Sequence, residues 1–180
     1  MHIFVYAYTL FILLPAALKA QPMSSVIKAQ AMEMSKAMVA GDVKGFSRFV
    51  HPAVVDKAGG PEKMQAMADS MTKVFRQFGG SVSRILVGNP GTVVQYRKTL
   101  QATLPQTTFI QTVFADIEAE RILIALSTDG GKRWYFLEPE LYKSPDMKAA
   151  LPPLSPALVI PPAAKPRITP KNPPDGEGAD

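Results

Sequence analysis

Hydrophobic and polar positions along this chain follow two rhythms, and the change comes near residue 80. Before it, apolar residues recur every three or four positions. Ile27, Ala31, Met34 and Met38 mark one face of a helix that Ser24 or Ser25 can cap and Gly41 stops. Asp42 is placed to cap a second helix, Val43–Val50, whose stripe is Val43, Phe46, Phe49 and Val50. His51-Pro52 ends it, because a residue before proline is pushed out of the helical region. After the short apolar piece Ala53–Val55, Pro61 suits the first position of a third helix. Its stripe is Met64, Met67, Met71, Val74, Phe75 and Phe78, and Gly79-Gly80 terminates it. A stripe at helical spacing marks a core-facing helix, so these methionines and phenylalanines are expected in the core.

From Ser81 the period becomes two. Val82–Val87 reads as a first strand, Gly88-Asn89-Pro90-Gly91 as a turn, and Thr92–Leu104 as one long alternating strand. Pro105-Gln106 reads as the next turn and Thr107–Ala115 as a third strand; Asp116–Glu120 reads as an acidic turn. The stretch Glu120–Pro139 is a hairpin, with arms Ile122–Leu126 and Trp134–Leu137 around Asp129-Gly130-Gly131. Both arms are apolar on both faces, so the hairpin is expected to be central and covered on each side. Helices are expected on one side and a second copy of the chain on the other. The fold class is α+β: three N-terminal helices packed on a curved, meandering antiparallel sheet of about five strands.

Both ends differ from this middle. Ile3–Leu14 is apolar apart from Thr9, too short for a span of about 20 apolar residues, and Ala16–Ala20 leads into Gln21-Pro22. Residues 1–20 therefore read as a secretory signal peptide, with an uncleaved anchor as the alternative, and the domain is expected to be secreted or periplasmic. From Pro145 on the chain holds ten of its 17 prolines, with no period. The domain is expected over residues 21–143, and residues 144–180 as a largely disordered, extended tail.

Charge and composition remove several functions. Net charge is +5, but the basic residues are scattered, with Arg97-Lys98 and Lys132-Arg133 the adjacent pairs, so no nucleic-acid stripe is present. After removal of a signal peptide no membrane partner is expected. The absence of cysteine excludes disulfides, thiolate metal sites and cysteine catalysis. One histidine beyond residue 20 and scattered carboxylates give no metal-ligand spacing, and no phosphate loop or dinucleotide fingerprint implies a cofactor.

The segment KAMVAGDVKGFSRFVHPAVVDKAGGPEKM, followed by a long-stranded meander ending IALSTDGGKRWYFLEP, resembles small secreted bacterial members of the nuclear-transport-factor-two-like superfamily. The resemblance covers about Ser25–Tyr142. It implies the cone-shaped α+β fold shared with ketosteroid isomerase and scytalone dehydratase, in which a short strand pair precedes the third helix. Here only Ala53–Val55 could supply part of that pair. Ser127-x-Asp129-x-Gly131-x-x-Trp134 also matches the Asp-box hairpin motif of sialidase-type propellers, but a propeller needs many repeats and this chain has one. The motif is therefore expected to close the hairpin, with Asp129 accepting turn hydrogen bonds and Trp134 packed behind it.

Two functions are compatible with these residues. The first is a non-catalytic binding domain that holds a small apolar molecule or a peptide between helices and sheet. Tyr96, Arg97, Gln111, Trp134 and Phe136 would line its site, and a homodimer could form through the sheet. The alternative is a small isomerase- or dehydratase-type enzyme acting on a hydrophobic substrate. Its acid or base would be drawn from His51, Asp56 and Tyr96, with Asp116 in a solvated turn. A buried Asp or His facing a closed pocket, with a tyrosine in reach, would favour the enzyme.

Overall fold

A computed structural model describes residues 17–171 of the chain. The helices come first: α1 (Ala17–Ala40), α2 (Val43–Ser47), α3 (Pro52–Lys57) and α4 (Pro61–Gln77). An antiparallel sheet follows, β1 (Ser81–Val87), β2 (Val94–Tyr96), β3 (Thr99–Gln111), β4 (Ala115–Ser127) and β5 (Tyr135–Leu137). A 3₁₀ turn (Pro139–Lys143), α5 (Pro145–Ala150) and β6 (Arg167–Pro170) complete it. The main path is β1-β3-β4-β5, with β2 beside β3 and β6 beside β4. The fold is α+β, with the principal helices N-terminal to the sheet, consistent with a cone-like arrangement.

Local signals act largely where the pattern puts them. Gly41, at φ 70°, closes α1: its N–H donates to Met38 O and that of Asp42 to Ala37 O, so carbonyls of the last turn find donors. Asp42 caps α2 by accepting from Gly45 N–H at 2.8 Å. Ser24 and Ser25 lie inside α1 rather than at its cap, because the helix runs back through Pro22 to Ala17. Ala53–Val55, the only candidate for the short strand pair, is helical in α3, since His51 caps it and Pro52 occupies its first position.

The strand boundaries differ from expectation in an instructive way. The chain reverses at Arg97-Lys98, so Thr92–Leu104 is not one strand but β2, a tight turn and the start of β3. Arg97 takes φ 53° to make that turn, a conformation that alternation does not announce. Conversely Pro105 lies inside β3, not in a turn, opposite Ile122. Its carbonyl accepts from Gly88 N–H at 2.9 Å, where β1 has ended and β2 has not begun. The missing proline N–H thus faces a gap in the ladder, where it costs nothing. Asp116–Glu120 belongs to β4, its acidic side chains alternating with Ile117 and Ala119.

One sheet face packs on α1. Ile27, Ala31 and Met34 meet Ala102 and Leu104 of β3, Leu123 and Ala125 of β4, and Trp134 and Phe136 of the second hairpin arm. Gln106 extends from this face and donates to Ser35 Oγ at 3.1 Å, and Ser35 in turn donates to Ala31 O. The hairpin is covered on both faces as its composition requires, although β5 itself is a three-residue edge strand whose Phe136 N–H is taken by Phe49 O.

The cover on the second face is the chain's own C-terminal segment, not a second copy. Ile124 and Leu137 pack there with Leu151, flanked by Leu141, Tyr142, Met147, Leu154, Leu158 and Ile160. Gln101, fully buried, pins the segment: its Nε2 donates to Pro153 O and its Oε1 accepts from Ser155 N–H. Tyr142 donates to Pro152 O at 3.0 Å, and burial pushes its phenol pKa up to about 12. The stretch after residue 143 is not the extended tail expected: Ser144-Pro145 starts α5, and the extended chain after Ala150 forms a packed strap up to Ile160. Prolines have little backbone freedom to lose, and each fully buried leucine returns about 1.5–3 kcal/mol. Beyond it β6 pairs with β4 through Ile117↔Ile168, braced by Lys171–Asp116 at 2.7 Å and Arg167–Glu118 at 3.4 Å.

Candidate functional site

The five residues expected to hold a ligand do not converge. Trp134 is fully buried, and its Nε1–H donates to Gly131 O at 3.0 Å. Its backbone N–H donates to Gln30 Oε1 at 2.8 Å, while Gln30 Nε2 donates to Lys132 O, so the loop is stitched to α1. Phe136 is buried against Phe49, with ring centroids 6.4 Å apart. Tyr96 and Arg97 sit at the β2–β3 turn, the guanidinium 5.6 Å from its neighbour's ring, and Gln111 lies at the far end of β3. Gln111 is the last of the thirteen residues of β3 beyond that turn, on the order of 40 Å away at strand rise. Placing them together depended on a turn at Pro105, and the continuity of β3 separates them.

Asp129 does what a hairpin-closing residue should. Its Oδ1 accepts from Ser127 Oγ, Lys132 N–H and Arg133 N–H at 2.9–3.1 Å, and Ser127 Oγ accepts from Gly131 N–H. The Arg133 N–H foremost, with Ser127 and Lys132, holds its carboxyl below the usual carboxylate range. These bonds, all to Oδ1, serve the turn, and Asp129 itself is exposed at the hairpin tip.

The acid–base candidates are equally dispersed. His51 is half-buried; its Nδ1 accepts from Ala53 N–H at 3.2 Å as the N-cap of α3, and its ring stands edge-on to Tyr135 at 5.2 Å. Burial lowers its pKa, favouring the neutral ring that capping needs. Asp56 is exposed on α3. Asp116 is exposed and ion-paired with Lys171. Among the described residues no group of three or more His, Asp or Glu could hold a metal ion, and no helix is long and apolar enough to cross a membrane.

Two open concavities remain of interest. One, about 400 Å³, lies at the far end of the strap-side face. Arg84 stacks on Phe109 there at 4.0 Å, and Asp116 and Glu118 are engaged by the cations that hold β6. Its charges are thus used internally. The other, also about 400 Å³, is apolar and runs between the end of α1, α2 and α4. Met38, Val43 and Phe46 form one wall and Met64, Met67 and Met71 the other. Asp42, the ionisable residue on its rim, is occupied as the cap of α2.

That groove exists because α4 does not do what its stripe predicts. No residue of α4 is buried, and Met67, Met71, Val74 and Phe78 are exposed. α4 instead leans on α2 and α3 and is fixed at its C-terminal end, where Gly79 sits so close to Val113 of the β3–β4 turn that a side chain there would collide. Amphipathicity reports that a helix has an apolar face, and it does not say that the face has been covered within the same chain. The exposed stripe was visible as a motif; what was missing was any sign that α1 with Phe46 and Phe49 on one face, and the strap with Ala53 and Val54 on the other, would cover the sheet without α4. No family model, no curated protein and no solved structure matches this chain.

Proposed function

We propose that this chain is an exported, non-catalytic binding domain of the nuclear-transport-factor-two-like type that takes a small apolar molecule or an apolar peptide in the α1–α2–α4 groove. The observation that carries the proposal is the methionine-lined groove itself, with one wall supplied by a helix none of whose residues is buried. Unbranched thioether side chains adapt to irregular apolar shapes, and concave apolar walls with few polar groups suit such ligands. Trp134 and Phe136, by contrast, have their surfaces filled by α1 and Phe49, so the ligand position moves from the sheet to the helices. The isomerase-type alternative draws no support from His51, whose Nδ1 is committed to α3 and which does not line this groove.

A polarity-sensitive apolar dye tests the reading. Its fluorescence should rise on titration into the protein and be lost in Phe46→Ser and Met64→Asp variants, while Arg97→Ala and Gln111→Ala retain it. Dye binding that survives both groove variants, or fails in the parent, refutes the assignment. Mass spectrometry of the purified protein would then identify a co-purifying ligand.

A further inference from the structure

The seam positions of α4 follow one another at intervals of three, four, three and four residues: Met64, Met67, Met71, Val74 and Phe78. That is the 3.5-residue repeat of a helix that lies along another helix, its side chains dropping into the holes of the facing one. Ala68 and Phe75 widen the apolar face on one side of this seam, Phe75 turned in against Gly80. Four of the five seam residues are more than half exposed, Met67 57%, Met71 67%, Val74 51% and Phe78 64%. The positions flanking these four, Ala68, Ser70, Phe75 and Gln77, carry no charge, while Asp69, Lys73 and Arg76 lie on the outer side of the helix. A seam with neutral flanks does not repel its own copy, and Gly79 close against Val113 fixes its C-terminal end on the sheet.

We infer that α4 pairs antiparallel with α4 of a second copy, about a two-fold axis beside Thr72 and Lys73. This register sets Met67 against the partner's Phe78 and Met71 against the partner's Val74, and repeats both contacts by symmetry. An isologous pairing of one patch with itself is the commonest mode of association in soluble homo-oligomers. Four side chains of this exposure remove roughly 500 Å² per copy, so the interface reaches about 1,000 Å², the lower edge of specific interfaces. An interface of that size is expected to be weak. The inference does not require the groove to have a ligand, because Val74 and Phe78 lie outside the groove walls.

Sedimentation equilibrium of the purified protein tests the pairing. Its weight-average mass should climb with concentration from one copy towards two. Val74→Glu and Phe78→Glu should each hold it at one copy with the thermal midpoint and dye binding unchanged, and Val74→Leu should keep the dimer. The chain has no cysteine, so the double variant Met67→Cys/Phe78→Cys gives a second readout. These positions are about three helical turns apart in one chain, roughly 16 Å, too far to bridge each other. In the antiparallel pair they face each other directly across the seam, and mild oxidation should yield a covalent dimer. A protein that stays monomeric at every concentration, as one reserved for a foreign helix would, overturns the inference. So does a dimer indifferent to both glutamates, or one that the cysteine pair fails to trap.

Discussion

Replacing Gln101 by leucine should loosen the C-terminal strap and lower the stability of the whole domain. Gln101 is fully buried, and its amide donates to Pro153 O and to Thr99 Oγ1 at 2.9 Å each while its carbonyl accepts from Ser155 N–H at 2.8 Å. Leucine conserves the approximate volume, so little cavity opens. What is lost is three neutral hydrogen bonds of about 1 kcal/mol each, and the Pro153 carbonyl and Ser155 N–H are left without them. An orphaned buried group costs about 1–3 kcal/mol, but the strap can lift locally and rehydrate both, which limits the loss. The expected net effect is about 3 kcal/mol, or roughly 10 °C in melting temperature for a domain of this size. Far-UV circular dichroism on heating gives the midpoint, and hydrogen exchange of the Ser155 amide reports on the strap itself. That amide has the Gln101 side chain as its acceptor, so its protection should fall by at least about 100-fold, well beyond any change in the β3–β4 ladder, as local opening demands. A midpoint within about 2 °C of the parent, with Ser155 exchanging freely in both proteins, would show that the strap is not docked.

Two further substitutions probe the hairpin and the α3 cap. Trp134→Ala removes the largest fully buried side chain and its bond to Gly131 O; the expected loss is about 3–5 kcal/mol. Trp134 is the chain's one tryptophan, so the parent can be followed by fluorescence and the variant by circular dichroism; a loss below about 1 kcal/mol would refute its place in the core. His51 has a folded pKa lowered by burial from 6.5, so the unfolded chain binds its proton first as pH falls. The stability owed to the neutral ring is complete above 6.5 and is lost as pH drops towards the folded value. Asparagine keeps a cap without titrating. Denaturant unfolding between pH 7.5 and 5 should thus decline in the parent and stay flatter in His51→Asn; equal slopes would sink the linkage.

The parts of the fold legible in the sequence are those fixed by signals acting within a few residues. The Ala40-Gly41-Asp42 junction, the Pro61 start of α4 and the Asp129-Gly130-Gly131 turn each satisfy local backbone groups, so a short window contains their cause. The turn at Arg97-Lys98 carries no such signature, because an arginine at positive φ is tolerated only when long-range pairing of β2 with β3 imposes it. Pro105 misled in the opposite sense: whether a proline ends a strand depends on whether its edge has a partner, which the neighbouring strands decide. The strap was hidden for a third reason. Its proline content was counted as disorder, whereas Leu151 and Leu154 meet apolar groups on Ile124 and Leu137, and Gln101 waits more than fifty residues upstream.

The same distinction explains why the candidate site lies where it does. Trp134, Phe136 and Asp129 drew notice as conspicuous residues, yet the two aromatics are buried in the core and Asp129 Oδ1 holds the turn. α4 drew notice as ordinary core, and it is the element whose apolar surface is left over. Groove and seam share Met67 and Met71, so a ligand and a second copy of α4 draw on the same two side chains. Linkage then fixes their relation: whatever factor dimerisation takes from ligand affinity, the ligand takes from dimerisation. A ligand lying deep against Phe46 and Met64 leaves Val74 and Phe78 free and barely disturbs the dimer. A longer apolar peptide that runs out past Met71 must displace the partner helix, and adding it should return the sedimenting species to a single copy.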